Sequence, residues 1–116
     1  MKQHRVIFHI SEEHIDKVTF ALNNILNLLN DLGGENVDVE LLVNGPAVKV
    51  FTSKTGEISG LINEVLEHDI DLALCNNALR IFDLNPDDML SEARVVPSGV
   101  GELVRKQNEG WAYIRP

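Results

Sequence analysis

The chain has 116 residues, 44% of them hydrophobic and 24% charged, which suits one domain with its own core and no low-complexity tract. Eighteen acidic side chains against ten basic ones give a net charge of −8, leaving no basic stripe for a nucleic acid or an anionic membrane surface. The single cysteine, Cys75, excludes an internal disulfide, a Cys-x-x-Cys redox pair and a multi-cysteine zinc site.

The opening Met1-Lys2-Gln3-His4-Arg5 and the few apolar residues after it are too short for a signal peptide, and no apolar run approaches a membrane span. A soluble, cytoplasmic protein is expected. Val6 to Ile10 is a continuous β-branched and aromatic run, the pattern of a strand buried on both faces. Ser11 can cap the next helix, with Glu12 and Glu13 in its first turn. Ile15, Val18, Leu22, Ile25, Leu29 and Leu32 give that helix one apolar face, and Gly33-Gly34 ends it. Asn23, Asn27 and Asn30 lie opposite, together with Phe20, which a monomer does not require there.

Val37 to Val43 alternates and then becomes fully apolar, as in a strand that runs from a sheet edge into the core. Asn44-Gly45-Pro46 breaks it, Pro46 opens a turn or two that bury Val48 and Phe51, and Lys54-Thr55-Gly56 forms a turn. Ile58, Leu61, Ile62, Val65 and Leu66 mark the next helix. A third strand ends at Cys75, and Asn76 and Asn77 can cap a short helix over Ala78 to Phe82. Asn85-Pro86 signals another helical start. Arg94 to Pro97 is a brief fourth strand, and Ser98-Gly99-Val100-Gly101 turns into a helix with Val100, Leu103 and Val104 inward. Trp111 to Arg115 closes the chain as a fifth strand.

Strands alternating with amphipathic helices predict an α/β fold: a five-stranded, mostly parallel sheet with helices on both faces, in the flavodoxin-like order 2-1-3-4-5. Ligands of such sheets bind beyond the carboxyl ends of the strands, here at a switch point between strands one and three. The residues expected there are His9, Asn44, Gly45, Cys75, Asn76, Asn77, Ser98 and Gly99. Cys75 is either a reactive thiol at a strand tip facing a helix start or a small buried hydrophobe, the commoner state of a free cysteine. Glu12 and Glu13 would repel a flavin phosphate from the first loop, and the four histidines lack metal-ligand spacing, so no cofactor and no metal are expected.

Leu22-Asn23-Asn24-Ile25-Leu26-Asn27, Val43-Asn44-Gly45, Cys75-Asn76-Asn77-Ala78-Leu79, Ser98-Gly99-Val100 and Gly110-Trp111-Ala112-Tyr113-Ile114 follow one another in a characteristic order. In this the whole chain resembles the DsrE/DsrF-like family of small sulfur-relay and related proteins. The resemblance implies a five-stranded parallel sheet, assembly as a homotrimer or hexamer, and a cysteine that carries sulfur as a persulfide. That role would fall on Cys75, with separate proteins as sulfur donor and acceptor. Other members have no assigned activity, so a ligand-binding or structural module of the same fold is the alternative.

Overall fold

Five parallel strands form one sheet in the computed structural model of the chain, which describes residues 2–54 and 56–116. The turn expected at 54–56 includes Thr55, which lies outside the described residues. The strands are β1 (His4–Ile10), β2 (Val37–Val43), β3 (Ile70–Cys75), β4 (Ala93–Val96) and β5 (Ala112–Ile114), and the helices α1 (Ile15–Leu32), α2 (Ser59–Leu66), α3 (Asn76–Ile81) and α4 (Gly99–Asn108). Short 3-10 segments at Gly45–Phe51 and Pro86–Asp88 carry the two expected proline starts, the second capped by Asn85 Oδ1, which accepts from the Asp87 N–H at 2.9 Å.

The parallel α/β architecture is the expected one. The strand order is 4-3-2-1-5, however, where the sequence reading had 2-1-3-4-5. From β1 to β4 the chain steps in one direction, and α4 then crosses back so that β5 pairs with the free edge of β1. Right-handed crossovers that step the same way lie on the same face, and a return step must use the other. Accordingly α1, the 45–51 segment, α2 and α3 share one apolar cluster with Val6, Phe8, Leu41, Leu72 and Leu74. Among the described residues the opposite face carries only α4, packed through Leu103, with Trp111 beside it, on Ile7, Leu42, Ala73 and Val96. We refer to these as the three-helix face and the α4 face.

Several local expectations change for the same reason. β2 is central, between β1 and β3, so its alternating Asp38 and Glu40 do not mark an edge; Glu40 is fully buried under α4. On α4 the buried side chain is Glu102, drawn inward by Arg94, which rotates Val100 and Val104 out to solvent. α1 begins three residues later than a Ser11 cap suggested. His14 is its N-cap, with Nδ1 accepting from the Asp16 N–H at 3.3 Å, because the chain after β1 first passes over Gly45. A Cβ on Gly45 would lie 3.0 Å from the Ser11 carbonyl oxygen, and φ there is +57°. Val18, Leu22, Ile25 and Leu29 form the buried stripe of α1 as its spacing implies, while Phe20 stands 56% exposed.

Candidate functional site

The carboxyl ends of the strands carry most of the candidate residues. His9, next to last in β1, faces the α4 side and is almost buried. Its Nε2 lies 2.9 Å from Asn44 Oδ1 and its Nδ1 2.7 Å from the Tyr113 hydroxyl. An amide oxygen can only accept, so Nε2 carries the ring proton, Nδ1 is the free lone pair, and the Tyr113 hydroxyl donates to it. Burial holds the His9 imidazole below its ordinary pKa, and the positive charge of Arg115 acts in the same sense against the Asn44 hydrogen bond. The neutral ring required by the hydrogen bonds is thus also the form its surroundings favour.

Asn44, just past β2, is braced from above by α4. A Cβ on Gly99 would stand 2.8 Å from Asn44 Nδ2 and 3.0 Å from its Cβ, so only glycine lets the helix approach this closely. Ser98 is the N-cap of α4, its hydroxyl accepting from the Gly101 N–H at 3.0 Å. Beside this set the Arg115 guanidinium donates to the Ser11 hydroxyl at 3.0 Å, and together with His9 and Lys17 these line a shallow depression. Its volume, about 10 Å³, is that of a single water site.

Cys75 ends β3, but the switch point beside it is not the one expected between strands one and three. The order 4-3-2-1-5 moves the switch point to the ends of β3 and β4, where the chain leaves for α3 on one face and α4 on the other. Cys75 pairs in register with Val96 at that divide. Its side chain is only 6% exposed and belongs to the apolar cluster of the three-helix face. Cys75 is also the N-cap residue of α3, with Asn76 and Asn77 already inside the helix. Asn77 turns outward with Arg80 and Ile81, so it does not join the His9 set.

The structure therefore brings together His9, Asn44 and Gly99, with Ser98 capping the same helix and Gly45 spacing the neighbouring loop. Tyr113 is the member that the sequence did not reveal. Its position depends on β5 lying beside β1, where Ile7 and Tyr113 are register partners, and the order 2-1-3-4-5 would have kept the two apart. A polar Tyr within an otherwise apolar closing strand was the one available signal.

Among solved structures, the chain is similar to the protein of unknown function MTH1491 from Methanobacterium thermoautotrophicum, at 40% identity and a TM-score of 0.89, over 97% of this chain and 99% of that one. The ychN protein of E. coli aligns over the full length of both chains at 13% identity with a TM-score of 0.76. The conserved protein of unknown function BT1422 from Bacteroides thetaiotaomicron aligns over 97% of this chain and 94% of its own at 16% identity and a TM-score of 0.74. The last two show the fold alone. No curated protein matches the chain. The DsrE/DsrF-like family model matches residues 4–116, and with that span, on this fold, the chain belongs to the DsrE/DsrF-like family.

Proposed function

We propose that the protein is a sulfur carrier that accepts and passes on sulfur as a persulfide on Cys75. The observation that supports this best is the place of the single thiol: it ends β3 at the divide between the two crossover directions, the ligand position of open parallel sheets, in a chain of a sulfur-relay-related family. In the transfer step the Cys75 thiolate attacks the terminal sulfur of a donor persulfide. A Cys75–sulfur bond forms, the donor's sulfur–sulfur bond breaks, and the donor leaves as a thiolate that takes up the proton Cys75 gave away. Delivery repeats the exchange with an acceptor thiolate, so no oxidant or reductant is consumed. With no second cysteine in the chain, the acceptor must be another protein or a small thiol. Copies of the chain assemble as a trimer or a dimer of trimers in this reading, which would cover Phe20 or the outward Val100 and Val104.

Intact mass after exposure to a persulfide or polysulfide donor tests the carrier role. The wild type gains one sulfur, about 32 Da, which a thiol reductant removes; sulfinic oxidation adds a similar mass that thiols leave in place. Cys75→Ser gains nothing. A wild type that stays unmodified across a panel of donors overturns the proposal.

The deep burial of Cys75 favours a second reading, in which the family fold serves as a non-covalent binding module and the thiol only packs. The polar set of His9, Asn44 and Tyr113 would then meet the ligand. Alkylation by iodoacetamide separates the two, since a carrier's thiol must become accessible under native conditions, whereas a packing thiol reacts only upon unfolding.

A further inference from the structure

Glu40 is the most deeply buried ionisable group among the described residues, with no exposed surface, in the middle of the central strand. Among the described residues no N–H or O–H group donates a hydrogen bond to either of its carboxyl oxygens. Its nearest cations stand off, the Arg94 guanidinium at 3.3 Å and the Lys106 ammonium at 3.5 Å. Arg94 is shared with two other carboxylates, while the only ion pair of Lys106 among the described residues is this one. Arg94 donates to both oxygens of Asp71, at 2.7 and 2.9 Å, and to Glu102 Oε2 at 2.7 Å. Lys106 lies 4.4 Å above the Trp111 ring. The almost buried Glu102 carboxylate of α4 meets the same Arg94 nitrogen, which stands 2.7 Å from Glu102 Oε2 and 3.3 Å from Glu40 Oε1.

Two carboxylates facing each other away from water repel, and a single proton between them turns repulsion into a charge-assisted hydrogen bond. We propose that Glu40 and Glu102 share one proton, and that this proton is a latch that fastens α4 to the sheet and opens as pH rises. The latch acts on the candidate site because the first turn of α4 carries both Glu102 and Gly99, and Gly99 braces the Asn44 side chain that holds His9. It is independent of whether Cys75 carries sulfur.

The rest of the surroundings agree. β1 offers only Ile7 at this rung, its Arg5 being turned to the Glu109 carbonyl and the Trp111 ring; β3 offers Asp71, β4 Arg94, and α4 Glu102 and Lys106, with Arg105 reaching Glu102 alone. Burial first, then Glu102 and Asp71, pushes the Glu40 carboxyl up to about 8 against the pull of Arg94. Burial works against ionised Glu102, yet the hydrogen bonds from Glu40, Arg94 and Arg105 hold it down at about 2. Glu102 accepts from two guanidinium groups and Glu40 from none, so the shared proton resides on Glu40. Between the ordinary carboxyl range and the raised value, the folded chain holds a proton that the unfolded chain has lost, so stability falls as pH rises across that window.

Glu40→Gln supplies a permanent donor of the same shape. In wild type the folding constant should fall by up to about tenfold per pH unit as pH rises from 6 to 8, and in E40Q it should be flat over that range relative to wild type. Infrared difference spectra of wild type at pH 6 should contain a protonated-carboxyl C=O stretch that is absent at pH 10 and absent in E40Q at pH 6. Amide exchange should show α4 losing protection with pH faster than β2 in wild type and in step with β2 in E40Q. A wild type without that stretch at pH 6 has an ionised Glu40 paired with Arg94 and Lys106, which overturns the shared proton whether or not E40Q folds. Equal pH slopes in the two proteins, or α4 and β2 losing protection together in wild type, overturn the latch.

Discussion

The two faces of the sheet are built on different physics. On the three-helix face, alternate residues of β1, β2 and β3 meet Val18, Leu22, Ile25, Phe51, Ile62 and Leu79 in one continuous apolar cluster. The α4 face has four buried apolar side chains in its cluster, and around them stand Glu40, Glu102, Arg94, His9, Asn44 and Tyr113. Apolar burial is non-directional and tolerates small shifts, whereas hydrogen bonds and ion pairs demand particular distances and leave large penalties when one partner is removed. The first face holds the sheet together. The second sets the position of one helix and, through it, the geometry at the strand ends.

Substitutions should separate the two faces by size of effect. Phe51→Ala, which empties a fully buried site, should cost about 3–5 kcal/mol in urea denaturation, whereas Leu103→Ala under α4, only half-buried, should cost about 1–2 kcal/mol. Equal costs would mean that the α4 face contributes as much apolar packing as the other. Arg94→Met should follow, at about 2 kcal/mol, since it strands Asp71 and Glu102 without their shared cation, with the partial exposure of Arg94 keeping the cost below that of a fully buried pair. Adding salt should leave the Phe51→Ala penalty unchanged and reduce that of Arg94→Met.

Finer changes probe the strand ends. Gly99→Ala puts a methyl group against Asn44 and should cost about 1–2 kcal/mol, with a shift of the His9 Nε2 resonance in nitrogen NMR as its acceptor is displaced. An unchanged His9 spectrum would show that α4 does not position the ring. Tyr113→Phe removes one donor to His9 Nδ1 and should cost about 1 kcal/mol, the smallest effect of the series. The His9 contribution also has a sign. Its folded pKa lies below the unfolded value, so its stabilisation is complete above the ordinary histidine range and is lost as pH falls through the folded pKa. That is opposite to the direction for Glu40, and a His9→Gln variant should flatten the acid side alone.

What the sequence determined by itself is the set of elements. All five strands, the buried stripe of α1, the proline starts at Pro46 and Pro86 and the turn from Ser98 into α4 are local patterns, set by side-chain period and by backbone preferences within a few residues. Cys75 and His9 were placed at strand ends for the same reason. Only the tertiary structure decided which strands are neighbours, because a β-α-β unit has the same local pattern whichever way it steps across the sheet. That choice put β5 beside β1 and so gave His9 its Tyr113, put β2 in the centre and so buried Glu40, and set the divide between crossovers at the ends of β3 and β4. It also turned α4. Val100 and Val104 have the spacing of an inward stripe, but Arg94 reaches the Glu102 carboxylate, and pairing that almost buried charge outweighs burying two exposed valines.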